Sequence, residues 1–311
     1  MNDLIIIGGG PAGVAAGVYA ARKKLKTLLI TPDFGGQSVV SDGIENWIGT
    51  VKISGQELSE SLKKHLQTYA NDSVDIKEGE SVTNIKKLAE NEFEVTANDG
   101  VKDTQYTGKT ILIATGSHRR KLEIPGAKEF DNKGLTYCAS CDGPLYGGQD
   151  VVVVGGGNAG LESSAQLLAY CKSVTLLNRS DTLRGDEVTI AKLSQHPNFK
   201  IIKNAIPIEI TGEKFVNGIV YEDAVTHEKH TILTPGIFVE IGLLPTTEFA
   251  KDVSVLNEIG QIKINPANQQ TSTPGIWAAG DCTDALYHQN NIAAGDAVRA
   301  LEDLYVTLHT K

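Results

Sequence analysis

The chain has 311 residues, 41% hydrophobic and 22% charged, which is the composition of an ordinary globular protein with room for two separate cores. Its 29 basic and 38 acidic residues leave a net charge of −9, which argues against nucleic acid as a partner. No run of about eighteen apolar residues reads as a membrane span, and only Met1–Asp3 precede the first apolar run, so the expected location is cytoplasmic.

That first run, Leu4-Ile5-Ile6-Ile7, has the character of a buried parallel strand. Gly8-Gly9-Gly10-Pro11-Ala12-Gly13 follows in GxGxxG spacing, and an apolar-periodic stretch from Val14 to Arg22 predicts a helix. Strand, glycine turn and helix form the context in which this motif binds a dinucleotide. The glycines allow a tight turn, close approach of a pyrophosphate and packing of helix on strand, while the helix N-terminus offers free N–H groups. A second strand, Thr27 to Thr31, should end where a ribose-binding acid often sits, and Asp33 is the acid nearby, expected in a loop.

Gly35-Gly36-Gln37 is a further close-approach turn, Glu45-Asn46-Trp47 follows with Trp47 read as core, and a helix is expected from Gly55 to Tyr69. Residues 74–115 read as an antiparallel β excursion holding Val74-Asp75-Ile76, Val82 to Ile85 and Phe93-Glu94-Val95, with a turn at Asn98-Asp99-Gly100. It closes on a buried strand from Thr110 that ends at Ala114-Thr115-Gly116.

Cys138-Ala139-Ser140-Cys141-Asp142-Gly143-Pro144 comes next. Two thiols separated by two residues can close a small disulfide ring, and the low thiol pKa typical of such motifs supplies an attacking thiolate. A zinc site would need a second ligand pair, but Cys171 and Cys282 are isolated, so no metal is expected and the reading is reversible disulfide chemistry. Four cysteines with only one close pair also suit a reducing compartment.

The pattern then restarts. Val151–Val154 precedes Gly155-Gly156-Gly157-Asn158-Ala159-Gly160, a helix is expected through Ala169, and Val174 to Leu177 is a second strand. One glycine motif per copy indicates two dinucleotide sites, and a dithiol between them makes hydride-to-disulfide electron transfer the economical inference. Phe199 to Phe238 is β-rich with a turn expected at Asn217-Gly218, Gly275 to Asp281 is a short strand ending in Gly-Asp, and a last helix is expected from Ala293 to Thr307.

With the glycine motif at 8–13, the turn at 35–37, Glu45-Asn46-Trp47, Ala114-Thr115-Gly116, the dithiol segment and Ala278-Ala279-Gly280-Asp281-Cys282 in this order, the chain resembles the low-molecular-weight thioredoxin reductases over essentially its full length. Residues 236–245 and Gly280-Asp281-Cys282-Thr283 look closer still to the flavoprotein component of alkyl hydroperoxide reductase, which carries an additional N-terminal thioredoxin-like part. The resemblance implies an α/β fold of two Rossmann-like dinucleotide-binding domains, the second inserted into the first, each with a β excursion. Residues 1–117 and 243–311 would form a discontinuous FAD-binding domain, and 118–242 an NAD(P)H-binding domain carrying the dithiol, with hinges at Gly116-Ser117-His118 and Ile241-Gly242-Leu243.

By the same resemblance FAD would lie against Gly8, Gly10, Pro11, Ala12 and Gly13, the Gly35-Gly36-Gln37 turn, Asn46, the backbone near Val82, Gly116 and the Asp281 carboxylate. His288-Gln289-Asn290, also placed at the flavin, stands where the reductases usually have Arg-Gln-Ala, and His288 is read as a tolerated substitution. The nicotinamide nucleotide would take Gly155, Gly157, Asn158, Ala159, Gly160, Asn178, Arg179, Arg184 and Gly242. NADPH-using relatives carry a His-Arg-Arg cluster with a further arginine four residues on. Arg179 and Arg184 match two of its three arginines, so NADPH is expected over NADH.

The activity so implied is that of a homodimeric flavin-dependent disulfide reductase. It would pass electrons from NAD(P)H through FAD and the Cys138–Cys141 dithiol to a small protein disulfide: thioredoxin, a glutaredoxin-like protein or a peroxiredoxin-type partner. Cys141 would face the flavin, Cys138 would attack the partner, and Asp142 would serve as general acid/base beside the thiols, the alternative for Asp142 being a turn residue before Gly143. An NAD(P)H oxidase, a peroxiredoxin-system reductase, a ferredoxin-fed thioredoxin reductase and a flavin-bound sensor stand as alternatives. The intact second glycine motif weighs against the ferredoxin-fed form.

Overall fold

The computed structural model describes residues 1–41 and 43–310. The chain divides into two compact units, Met1–His118 with Leu244–Lys311, and Arg119–Leu243.

In the first unit, strand β1 (Asn2–Gly9) is the centre of the sheet, and helix α1 (Pro11–Arg22) leaves from its end. Leu4 and Ile6 point into one buried cluster and Ile5 and Ile7 into the other, which is why this run is apolar at every position. The helix begins at Pro11, three residues ahead of the expected Val14, because proline at the first helical position lacks only an N–H that would have no intrahelical partner. Strand β2 (Thr27–Phe34) takes in Asp33, which was expected in a loop, and helix α2 (Gly55–Ala70) follows. A reciprocal capping box starts α2. The Ser54 N–H donates to Glu57 Oε2 at 3.0 Å and the Glu57 N–H to Ser54 Oγ at 3.2 Å, an arrangement worth about 1 kcal/mol.

Strand β3 (Val74–Glu78) pairs parallel with β2, so Val74-Asp75-Ile76 belongs to the Rossmann sheet and not to the antiparallel excursion. It is the return strand of a strand–helix–strand crossover over α2, and strand direction leaves no mark in local hydrophobicity. The antiparallel excursion is confined to β4 (Ser81–Ala89), β5 (Glu92–Asn98) and the first half of β6 (Asp103–Ile113). The second half of β6 instead runs parallel to β1, so one strand ties both parts together. Trp47, expected in the core, is half-buried in a turn.

The short strand β7 (Ser117–Arg119) lies on the connection to the second unit. That unit contains β8 (Leu135–Thr136), the single-turn helix α3 (Ala139–Asp142), β9 (Asp150–Val154), α4 (Asn158–Leu167), β10 (Ser173–Leu177), α5 (Glu187–Ser194) and β11 (Phe199–Ile202). Strands β12 (Ala205–Gly212), β13 (Val216–Asp223) and β14 (Lys229–Leu233) form a separate antiparallel sheet, and β15 (Gly236–Val239) returns to the parallel one, ordered β11-β10-β9-β15-β8. Asn217-Gly218, expected as a turn, lies inside β13. A Cβ on Gly218 would stand 2.9 Å from Thr211 Oγ1 and 3.0 Å from the Ile232 carbonyl, so the glycine serves close packing between strands.

Strand β16 (Leu243–Pro245) lies on the return connection, β17 (Ile276–Ala278) pairs parallel with β6, and α6 (Asn290–Thr310) packs on α1 through Ala293, Ala297, Ala300 and Leu304. This helix starts at Asn290, ahead of the expected Ala293. Among the described residues no helix is long and apolar enough to cross a membrane.

A dithiol on a single-turn helix and two glycine-lined nucleotide cradles

The dithiol is organised around α3. Cys138 and Cys141 form a disulfide with their Cα atoms 5.3 Å apart. Cys138 is the N-cap of the helix, and its Sγ accepts the N–H of Cys141 at 3.2 Å. The hydroxyl of Thr136, at the end of β8, donates to Oδ2 of Asp142 and accepts the N–H of Cys138 at 3.3 Å. One short strand thus fixes both the capping cysteine and the carboxylate that follows the second cysteine. The other thiols are built differently. Cys171 is buried and its thiol is pushed up by desolvation. Cys282 is fully buried, donates towards the carbonyls of Ala279 at 3.4 Å and Ile113 at 3.6 Å, and is pushed up to about 11 by desolvation. Neither has the thiolate character that disulfide exchange needs.

In the first unit a cavity of about 220 Å³ opens over the carboxyl ends of β1, β2 and β6. Gly8, Gly10, Pro11, Ala12, Gly35, Gly36, Gln37, Val82, Gly116, Asp281 and Asn290 all line it, although they come from segments up to 282 residues apart. Gly8 holds φ +117°, and a Cβ there would lie 2.3 Å from the Ala114 carbonyl oxygen. Gly13 sits behind the cavity, where a Cβ would meet the Gly8 carbonyl oxygen at 1.9 Å, so its role is to let α1 approach β1. The N-cap of α1 is Gly10, which has no side chain to cap the first N–H groups and so leaves them for an anion. Gln37 Nε2 donates to Asp281 Oδ2 and Ser117 Oγ, both at 3.3 Å, placing an amide and a carboxylate together on the wall. A glycine-walled cleft with an uncapped helix end at one side and a carboxylate at the other fits the pyrophosphate and polyhydroxyl chain of FAD.

Asn46, His288 and Gln289, expected at the flavin, are not in that lining. Asn46 is exposed and donates to Gln289 Oε1 at 3.1 Å, joining two loops outside the cavity. His288 is half-buried, and its Nε2 is buried with no hydrogen bond among the described residues. Ser38, whose hydroxyl donates to Asn290 Oδ1 at 3.0 Å, also lines the cavity, as do Thr246 and Phe249, none of them expected from the sequence. These have no local motif, and only the fold brings them to the cleft.

The second unit repeats the cradle. Gly155 holds φ +126°, a Cβ on Gly160 would lie 1.8 Å from the Gly155 carbonyl oxygen, and α4 starts at Asn158 with no side-chain cap. Asn158 itself accepts the Asp186 N–H at 2.7 Å. At the end of β10 the buried Asn178 amide donates to the carbonyls of Ser180 at 2.7 Å and Thr182 at 3.0 Å. Its Oδ1 occupies the space a Cβ on Gly156 would take, 2.2 Å away. Asn178 therefore shapes the 178–184 loop and does not reach outward as a ribose ligand. The Arg184 N–H donates to the Gly156 carbonyl at 2.9 Å, which holds this loop beside the glycine turn, while the Arg179 and Arg184 side chains are exposed. Gly242 holds φ +118° with open space on its side-chain face.

Residues 2–298 match the family described as pyridine nucleotide-disulphide oxidoreductase. The chain is 40% identical over 299 residues to a Bacillus subtilis protein named NADH dehydrogenase, and 42% identical over 298 residues to a Staphylococcus aureus protein named as a subunit of alkyl hydroperoxide reductase. Each match covers 96% of this chain and 57% of the relative, so the chain spans little more than half the length of these proteins. The crystal structure of thioredoxin reductase from Streptococcus pyogenes superposes with a TM-score of 0.90 at 32% identity, covering 100% of this chain and 99% of that one. With the dithiol, the paired cradles and these likenesses together, the chain belongs to the pyridine nucleotide-disulphide oxidoreductase family.

Proposed function

We propose that this protein is a flavin-dependent disulfide reductase that draws electrons from a reduced nicotinamide nucleotide and delivers them to a small redox protein of the thioredoxin or peroxiredoxin type. The observation that carries the reading is the Cys138–Cys141 disulfide with Asp142 tethered beside it, in a chain that also has two dinucleotide cradles. We assign Met1–His118 with Leu244–Lys311 to FAD and Arg119–Leu243 to the nicotinamide nucleotide. When bound, FAD supplies the two-electron chemistry that links a reduced nicotinamide to a disulfide.

The remaining chemistry belongs to side chains. Two electrons and two protons convert the Cys138–Cys141 disulfide into a dithiol. The Cys141 N–H that Cys138 Sγ accepts favours a thiolate on Cys138, which supports Cys138 as the residue that attacks the partner disulfide. That attack forms a mixed disulfide and expels one partner thiolate, which Asp142 is placed to protonate. Cys141 thiolate then attacks Cys138 Sγ, re-forms the disulfide and releases the second partner thiolate. The protein is proposed to work in the cytoplasm as a homodimer.

A second reading follows from the relative named NADH dehydrogenase: electrons leave through oxygen or another small acceptor without the dithiol. Cys138→Ser separates the two. Under the reductase reading the variant still consumes NAD(P)H to reduce its flavin once but turns over no protein disulfide, with thioredoxin and a peroxiredoxin as acceptors. Steady NAD(P)H oxidation by the variant at the wild-type rate with oxygen as the acceptor favours the second reading, and undiminished reduction of those proteins by the variant removes the dithiol from the path.

A further inference from the structure

The second unit holds a carboxylate that neither the dithiol chemistry nor the glycine cradle uses. Glu240 directly follows β15, and its carbonyl oxygen lies where a Cβ on Gly155 would be, at 2.2 Å, so it borders the glycine turn. Its side chain is 13% exposed. One oxygen, Oε1, takes both of its contacts: the Ser163 hydroxyl donates to it at 2.7 Å, and Arg119 Nη1 stands 3.7 Å away. Oε2 carries no hydrogen bond among the described residues. Burial is the largest influence on this carboxyl and raises its pKa, Arg119 and Ser163 oppose the rise, and the nearby Glu162 adds to it. A carboxylate kept under such conditions needs a reason.

The strand order supplies one. In the sheet β11-β10-β9-β15-β8 the order reverses between β9 and β15, and a dinucleotide on such a sheet lies across the carboxyl ends at that point. The pyrophosphate belongs at the uncapped N-terminus of α4, after β9. The loop after β10, carrying Arg179 and Arg184, lies on one side of it and suits the adenosine half. The other half must then fall on the β15 side, where Glu240 stands.

The geometry points to Glu240 as a specificity-determining residue for the nicotinamide ring, its unoccupied carboxylate oxygen accepting the N–H of the carboxamide. The Ser163 hydroxyl and Arg119 hold the carboxylate in place, one by a donated hydrogen bond and the other by charge. The inference deepens the nucleotide-binding reading of this unit proposed above and rests on it.

Isothermal titration of the purified protein tests it without turnover. The ligands are the tighter-binding of NAD⁺ and NADP⁺, its 3-acetylpyridine analogue, which has no amide N–H, and the matching ADP-ribose. The wild type should prefer the carboxamide by about tenfold or more, the usual range for a hydrogen bond to a charged group. Glu240→Ala should bring the two dinucleotides to nearly equal affinity and leave ADP-ribose binding unchanged. Glu240→Gln can donate to the acetyl oxygen as well as accept, and should also narrow the ratio. A ratio that is absent in the wild type, or unchanged in both variants while ADP-ribose still binds, overturns the role of Glu240. Failure of ADP-ribose to bind the wild type overturns the nucleotide site itself, and this inference with it.

Discussion

The Thr136 hydroxyl donates to the Asp142 carboxylate and accepts the Cys138 N–H, so a single side chain on β8 ties the proposed proton donor to the backbone of the cysteine it serves. Asp142→Asn removes the ionisable group while keeping the shape, and should slow the thiol steps by about 10²–10⁴. Thr136→Val removes this one hydrogen bond to Asp142 and keeps the carboxylate, and should have a smaller effect. Stopped-flow measurement of partner-disulfide reduction is the check. An Asp142→Asn variant with wild-type rates in a step shown to be chemical would return Asp142 to a turn-forming role.

The four cysteines should separate into two classes. After mild reduction, iodoacetamide at neutral pH should label Cys138 and Cys141 only, because Cys171 and Cys282 are buried and both thiols are raised by desolvation, Cys282 to about 11. Full labelling of all four should require a denaturant. Mass spectrometry of labelled peptides gives the result directly, and native-state labelling of Cys282 would contradict its placement in the core.

Asp281 stands on the cavity wall with Gln37 donating to it at 3.3 Å. If it accepts a hydroxyl of the flavin chain, Asp281→Ala should weaken FAD binding by about 1.5–3 kcal/mol, the range for a hydrogen bond to a charged group. The measurement is the FAD content of purified protein and its re-uptake by apoprotein. The variant retaining FAD like the wild type would remove that contact.

Arg179 and Arg184 are exposed on a loop held by Asn178 and by the Arg184 N–H. A guanidinium–phosphate contact is strong and directional, so the pair should favour NADPH, more weakly than the full cluster of related reductases. Arg179→Ala with Arg184→Ala should raise KM for NADPH and spare NADH. A higher kcat/KM with NADH in the wild type, and no change for NADPH in the double variant, would make both arginines solvated surface charges.

Glu240 also predicts a pH effect on stability. Burial raises its folded-state pKa above the ordinary 4.5, so the folded state binds its proton more tightly than the unfolded state does. Stability therefore falls as pH rises from about 4.5 through the raised folded value, and the ionised carboxylate is a liability above it. Glu240→Gln keeps the Ser163 contact and does not titrate. It should have a higher urea midpoint than the wild type at pH 7, and the gap should close as pH falls towards 4.5. A gap that is constant with pH would mean that Glu240 does not couple folding to protonation.

Features whose physics is local were legible in the chain itself. Leu4–Ile7 and Val151–Val154 are apolar at every position because both faces of a central parallel strand are buried. Gly8, Gly13, Gly155 and Gly160 follow from a turn in which a Cβ would collide with backbone, and the CxxC spacing follows from the small ring that a disulfide must close. Tertiary structure alone decided the direction of β3, the strand at Asn217-Gly218 and the meeting of Gln37, Ser117 and Asp281, residues 80 and 244 positions apart in their hydrogen bonds. It also decided that Asn178 turns inward and that Glu240 stands beside Ser163 and Arg119. A window of residues encodes periodicity, turn chemistry and ring closure, whereas partners brought together by strand order have no spacing to read, because the chain between them contributes only its length.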